Sequence, residues 1–306
     1  MQKVLYIAGW GRSGTTVVDN ILNEYPGVFA TGELRYLFVR GLAGRGRCGC
    51  GERVANCPLW NEVLAVAFGT NRPDAHRLQA VQDRAARVRH TVRLRSGRWP
   101  EAAYEYARLM GRLYRAIGKV TGASLIVDSS KQPPDAAILA RASEVDPGSE
   151  LETYLVHMVR DPRAVAYSWS RPTMRRHSTG RSSLNWLAWN GLTELVAPQY
   201  RGRFRRLRYE DLVANPRAEV EALLDLAGVP VAEGPFRGPA TVQLGTNHTV
   251  SGNPRRFRKG EVEIRADDEW RAAQGFRARA TVTAITLPLL PRYRYPLWPR
   301  ADRSKT

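Results

Sequence analysis

The chain has 306 residues, 43% of them hydrophobic and 25% charged, a balance that excludes intrinsic disorder and leaves length for one large domain or two small ones. No apolar run approaches the roughly 20 residues of a membrane-spanning helix, and the opening MQKVLYIAGW has too short an apolar run and too early a glycine for a secretory signal. The formal charge of +18 comes from 47 basic against 29 acidic residues, yet only five are lysines (Lys3, Lys119, Lys131, Lys259, Lys305) and the arginines run from Arg12 to Arg303. These features predict a cytoplasmic protein without stable membrane insertion, whose spread of arginine is a compositional bias and not the footprint of a nucleic-acid partner.

VLYIA is a short apolar run of the buried parallel-strand type, and Val17, Val18, Ile21, Leu22 and Tyr25 recur at helical spacing after the loop GWGRSGTT. In PGVFATGELRYLF a second strand is predicted to end near Thr31 and to present Gly32 and Glu33 at its carboxyl end. Residues 33–62 read as loop-rich and hold all three cysteines, Cys48, Cys50 and Cys57. The third has no paired partner and no histidine stands nearer than His76, so packed free thiols are expected ahead of a local disulfide or a structural metal, and no metal ligands are assigned.

From about residue 62 to 120 the chain reads as an Arg- and Ala-rich helical cap insertion, with AYEYARLMGRLYRAIGKV its clearest amphipathic helix. SLIVDSS (124–130), ETYLVHMVRD (152–161) and RFRRLRYEDL (203–212) are the next strand candidates, and AVAYSWSR and PRAEVEALLDLAGV read as helices, the latter ending before Gly228. Strand and helix alternate with polar residues at strand ends. The expectation is one α/β domain over 1–306, a mostly parallel sheet flanked by helices with ligands at its carboxyl edge.

GWGRSGTT has the outline of a phosphate loop, but Thr15 stands where a nucleotide-hydrolysing loop places its lysine. Its glycines let the backbone turn with N–H groups inward, and Thr15 and Thr16 open a helix whose positive end faces the same point. Arg12, the one charged residue in the loop, offers a planar fork of donors suited to a tetrahedral anion. A tight turn with a solvent-facing arginine is the plainer alternative.

GRSGTT after a first strand resembles the 5′-phosphosulfate loop of sulfotransferases that use 3′-phosphoadenosine 5′-phosphosulfate (PAPS). The resemblance implies a P-loop NTPase-like fold, PAPS as cosubstrate without a metal, and donor contacts from Gly11, Arg12, Ser13, Gly14, Thr15 and Thr16. VRDPRAVAYS is similar to the family's 3′-phosphate segment, which implies Arg160 and Ser168 as its grips. LRYEDLVANP implies Tyr209 as a nucleotide contact, and FRKGEV implies Arg258, Lys259 and Gly260 as a segment closing over the 3′-phosphate. IVDSSKQPPDAAIL occupies the place of the central strand that carries a catalytic lysine or histidine in relatives, which implies Lys131. CGCGERVANCPLW and HTVSGNPRRFRKG also resemble bacterial members.

Sulfuryl transfer needs a deprotonated acceptor, in-line geometry and positive charge on the sulfuryl oxygens and leaving phosphate. The cytosolic histidine-base branch is not matched, because no histidine follows DSSKQPPDAA until His157, itself expected to be strand packing. TGELRY instead resembles the tyrosylprotein branch, in which a Gly-Glu pair follows the loop arginine, and Glu33 is the expected general base with Arg12 and Lys131 as charge stabilisers. Partial burial is expected to raise the Glu33 pKa; Asp128 is a weaker rival base. Trp186, Trp189 and Asn190 fall on one helix, where the tryptophans are expected to be core more readily than pocket. The implied reaction transfers a sulfuryl group from PAPS to a hydroxyl or phenol on a small molecule, glycan or lipid. A P-loop-like small-molecule or nucleoside kinase and a non-catalytic polyanion-binding protein are the alternatives, the first disfavoured by the absence of lysine at position 15.

Overall fold

The computed structural model describes residues 1–69, 73–146, 148, 150–171, 177–231 and 233–297. At its centre five parallel strands run in the order β2-β3-β1-β4-β5, comprising β1 (Gln2–Ala8), β2 (Val28–Gly32), β3 (Leu125–Lys131), β4 (Leu151–Val159) and β5 (Phe204–Arg208). Parallel strands need crossovers, and helices supply them on both faces of the sheet. The uninterrupted apolar character of VLYIA follows from this placement. Val4, Tyr6 and Ala8 pack into one core with Ile126 and Leu155, while Leu5 and Ile7 pack into another with Val127 and Val156.

Helix α1 (Thr15–Leu22) returns the chain from β1 to β2 and buries Val18, Ile21 and Leu22 in the second core. The long β2–β3 connection carries α2 (Pro58–Phe68), α3 (Ala75–Ala85), α4 (Thr91–Arg95) and α5 (Glu101–Thr121), so the stretch expected to be helical is so. Along α5, Ala103, Tyr106, Met110, Leu113, Tyr114 and Ile117 are buried at three- and four-residue spacing, and Gly122 ends the helix at φ +69°. This stripe lies on the sheet beside Val4 and Tyr6, and α2 and α3 pack in turn on α5.

Helices α6 (Pro133–Leu139) and α7 (Ala142–Val145) lead from β3 to β4. Between β4 and β5 run α8 (Pro162–Ser170) and α9 (Thr179–Val196), and α10 (Tyr209–Ala214) and α11 (Pro216–Leu226) follow β5. An antiparallel hairpin of β6 (Thr241–Leu244) and β7 (Gly260–Glu263) precedes α12 (Trp270–Ala273) and α13 (Phe276–Thr286). No helix among the described residues is long and apolar enough to cross a membrane.

Because β1 lies between β3 and β4, the connections leaving it and β4 diverge to opposite sides of the sheet. A crevice opens there at the carboxyl edge, the place where open α/β sheets bind ligands.

Candidate active site

A cleft of about 370 Å³ occupies this edge. Its floor follows the strand order. Glu33 stands just beyond β2, Lys131 ends β3, the Gly9–Thr16 loop leaves β1, Arg160 follows β4 and Tyr209 follows β5. Six cationic side chains line it among the described residues (Arg12, Arg40, Lys131, Arg160, Arg171, Arg255) against two carboxylates, Glu33 and Asp267. An excess of positive charge in a partly enclosed cleft focuses potential on an anionic ligand.

The loop is built by its glycines. Gly9 sits at φ +131°, where a Cβ would lie 2.2 Å from the Met158 carbonyl oxygen, and Gly14 sits at φ +98°, where a Cβ would lie 2.7 Å from Cδ2 of Tyr209. Backbone and aromatic ring thus approach too closely for any side chain. Gly11, Arg12, Gly14, Thr15 and Thr16 line the cleft, while Ser13 is buried and donates its hydroxyl to the Trp10 carbonyl at 2.8 Å, which braces the loop from within. Among the described residues no side chain caps α1, and no acidic residue stands in its first turn, so the N–H groups of its amino end and their positive field remain directed at the cleft.

Two non-glycine residues of the site, Arg12 (φ +73°) and Lys131 (φ +71°), hold left-handed backbone. Such a conformation costs roughly 1–2 kcal/mol per residue and persists where the surroundings over-determine it. At Lys131 it accompanies a register shift between β1 and β3. The bend brings the ammonium back to Glu33 Oε1 at 2.6 Å and to the Ser129 carbonyl at 2.9 Å.

Lys131 and Glu33, two of the three residues singled out for catalysis, are therefore an ion pair, their side chains 12% and 18% exposed. This corrects the expected titration of Glu33. Burial pushes its carboxyl up, but Lys131, through charge and hydrogen bond, Arg40, and the Ser251 hydroxyl at 3.3 Å together outweigh burial and hold it below the usual carboxylate range. Arg35 takes no part in this pair, since it binds Asp135 at 2.8 Å.

At the other end Arg160 stacks over Tyr209, 4.3 Å from guanidinium carbon to ring centroid. It donates to the Arg12 carbonyl at 3.2 Å and the Asp267 carbonyl at 2.7 Å, and pairs with the Asp267 carboxylate at 3.3 Å. Asp267 also pairs with Arg171 at 3.2 Å. Its partial burial raises its pKa less than Arg160 and Arg171 lower it, so it stays ionised. The Tyr209 hydroxyl accepts from the Asp267 N–H at 3.1 Å. Ser168 is buried behind the cleft and accepts from Arg12 Nε at 2.9 Å, which joins the loop to α8. For Arg12 itself, burial and then Arg160 disfavour the charge, leaving a cation that gains from an anion placed beside it.

Arg258, Lys259 and Gly260 do not line the cleft. Gly260, at φ +80°, opens β7 and pairs with Leu244, which carries the segment outward, and Arg258 borders a separate hollow with Val262 and Arg265. The same stretch instead supplies Gly252, Asn253, Pro254 and Arg255 to the cleft wall. Asp128 is also absent from the cleft lining. Burial pushes its pKa up to about 6 despite hydrogen bonds from Ser130 and from the Tyr114 hydroxyl at 2.6 Å, and it faces α5. His157 is fully buried in β4 against Asn190 at 2.9 Å and Glu194 at 3.2 Å, a core histidine with polar partners.

The tryptophans divide. Trp186 is buried against Tyr293 and donates to the Arg160 carbonyl at 3.0 Å, holding that strand end in place. Trp189 lines the cleft with Trp10, 4.6 Å between ring centroids, and Trp169. Cleft residues that the sequence did not mark out include Trp10, Trp169, Tyr36, Arg40, Arg171, Arg255 and Asp267. Of these only Tyr36 and Arg40 carried a local signal, a four-residue spacing after Glu33 that stacks the guanidinium 3.7 Å over the ring.

Sheet order and loop place the chain in the P-loop-like α/β class. A family described as "Sulfotransferase family" matches residues 5–233, and the chain belongs to it. The fold is shared with the sulfotransferase domain from the Synechococcus PCC 7002 olefin synthase, at 20% identity and TM-score 0.53 over 97% of this chain and 96% of that one. It is likewise similar to the sulfotransferase domain from the curacin biosynthetic pathway, at 17% identity and TM-score 0.54 over 97% and 99% of the two chains. No curated protein sequence matches the chain. Its activity is accordingly that of a sulfotransferase.

Proposed function

We propose that the chain transfers a sulfuryl group from PAPS to a hydroxyl or phenol of a small-molecule, glycan or lipid acceptor. The observation that carries this reading is the order of charge along the sheet edge. A carboxylate–lysine pair lies over β2 and β3, an uncapped anion loop over β1, and an arginine cluster with Tyr209 over β4 and β5. The loop N–H groups and Arg12 would hold the 5′-phosphosulfate, and Arg160, Arg171 and Arg255 the phosphate-rich remainder, with Ser168 acting through Arg12. PAPS carries its own leaving group, adenosine 3′,5′-bisphosphate, and the fixed cations supply what a kinase draws from a lysine and magnesium.

The acceptor hydroxyl would enter beside Glu33. In the transfer its oxygen forms a bond to sulfur, the bond from sulfur to the bridging phosphate oxygen breaks, and the hydroxyl proton passes to Glu33. Lys131, 2.6 Å from Glu33, would be drawn to the anionic sulfuryl oxygens, and its departure would restore the basicity of the carboxylate. The aromatic wall of Trp10, Trp169 and Trp189 suits a planar or apolar body on one of the two substrates.

Incubation with ³⁵S-labelled PAPS and an extract of the host tests the proposal. Label should pass to an ester-linked product with release of adenosine 3′,5′-bisphosphate. Phosphate transfer from ATP with no ³⁵S transfer would overturn it.

A further inference from the structure

Away from the cleft, the fold gathers the three cysteines with a histidine some 190 residues further along the chain. The Sγ atoms of Cys48, Cys50 and Cys57 and a ring nitrogen of His248 all lie within 4.8 Å of one another. Cys48 Sγ is 3.5 Å and Cys57 Sγ 3.4 Å from His248 Nδ1, and Cys50 Sγ is 3.9 Å from Cys57 Sγ. Tetrahedral zinc, with Zn–S near 2.3 Å and Zn–N of 2.0–2.1 Å, requires edges of about 3.8 Å between sulfurs and about 3.5 Å between sulfur and nitrogen. The three separations match those edges within a few tenths of an ångström.

We propose that Cys48, Cys50, Cys57 and His248 bind one zinc ion in a closed structural site that fastens the loop after Glu33 to the segment supporting that residue. Three sulfurs and an imidazole complete the tetrahedron, leaving no position for substrate.

Backbone groups converge on the sulfurs: Cys48 accepts a hydrogen bond from the Cys50 backbone and Cys57 from the Trp60 backbone, and Cys57 is the N-cap residue of α2. Burial nevertheless outweighs these contacts and favours the neutral thiols, so the charge that holds thiolates there has to come from the ion itself. The turn closes through Gly51 N–H to the Cys48 carbonyl at 2.9 Å. Gly49 lies so close to Asn247 that a Cβ would stand 1.8 Å from its Oδ1. Outer contacts fix the histidine: Trp60 Nε1 donates to the His248 carbonyl at 2.8 Å, and buried Arg256 donates to the carbonyls of Thr249 and Arg47 on either side of the cluster. Its charge balances the excess anion of three thiolates on one divalent ion.

The consequence for the cleft follows from the residues two and three positions beyond His248. Val250 N–H donates to the Thr31 carbonyl at 2.8 Å, Glu33 N–H to the Ser251 carbonyl at 3.0 Å, and the Ser251 hydroxyl to Glu33 Oε2 at 3.3 Å. The ion would tie both ends of this support together without touching substrate.

Tag-free full-length protein, purified under reducing conditions without chelator, should carry about one zinc per chain by mass-spectrometric metal analysis. Replacement by cobalt(II) should give the visible bands and sulfur-to-metal charge transfer of a tetrahedral thiolate site. Cys50→Ser, at the half-buried ligand, should lose most of the zinc and melt several degrees lower while remaining folded. His248→Ala provides a second variant if Cys50→Ser fails to fold, with the cobalt spectrum as its readout. Folded, metal-free protein with three titratable thiols would overturn the proposal. So would a disulfide between two of them, or a full zinc complement retained by both variants.

Discussion

Glu33→Gln and Lys131→Met, alone and combined, probe the pair at the centre of the proposed chemistry. The 2.6 Å contact joins side chains 18% and 12% exposed, so either single change strands a largely buried group. Breaking a fully buried pair costs about 3–5 kcal/mol; the residual exposure here reduces the expected coupling to about 1–3 kcal/mol. Urea denaturation of the four proteins at pH 7 measures it as the departure from additivity. Because Glu33 is held below its ordinary value, the pair's contribution is present above the unfolded carboxyl value of about 4.3 and lost as pH falls through the lower folded value. The coupling should therefore persist at pH 6 and fade in strong acid. In ³⁵S transfer, Glu33→Gln should lose about 10²–10⁴-fold while keeping nucleotide affinity. Additive stabilities, or transfer retained by Glu33→Gln, would refute the role assigned to the pair.

Two further outcomes concern Arg160 at the other end of the cleft and the buried carboxyl of Asp19. Arg160→Ala should weaken adenosine 3′,5′-bisphosphate binding by about 10–150-fold in calorimetry, the value of a charge-assisted hydrogen bond of about 1.5–3 kcal/mol; unchanged affinity would remove Arg160 from the phosphate site. Burial pushes the Asp19 carboxyl up to about 7 against the hydrogen bond from Ser129. A folded value so raised favours the folded state fully below pH about 4 and loses that advantage as pH rises towards 7, a difference on the order of 4 kcal/mol. Asp19→Asn should flatten that decline, gaining stability over the parent at pH 8 but not at pH 4; parallel curves would show that Asp19 is ionised in the folded protein.

The features legible in the sequence were those set by neighbours along the chain. VLYIA and the apolar runs Leu125–Val127 and Tyr154–Val156 reflect a sheet covered on both faces, and Gly9 and Gly14 mark a turn that no other residue can make. Those elements place Glu33, Lys131, Arg12, Arg160 and Tyr209 at one edge. What escaped depends on contacts distant in sequence. The Glu33 pKa follows from Lys131, whose left-handed backbone turns it towards Glu33, and burial considered alone gave the opposite direction. Asp267 reaches the cleft from a segment far along the chain, where it pairs with both Arg160 and Arg171. Trp186 and Trp189, one helical turn apart, divide between core and cleft because the boundary passes between them. His248 joins the cysteines by a crossing of segments that spacing does not encode.

The anion loop, with Thr15 at the P-loop lysine position and Arg12 as its cation, is proposed to hold a 3′-phosphoadenosine nucleotide without magnesium. Calorimetric titration of the full chain with adenosine 3′,5′-bisphosphate, and separately with ATP plus magnesium, tests it most directly, with thermal melts recorded on the same samples. The expected result is saturable one-to-one binding of adenosine 3′,5′-bisphosphate and a raised melting temperature with no added magnesium. Binding and stabilisation by ATP–magnesium alone would contradict it.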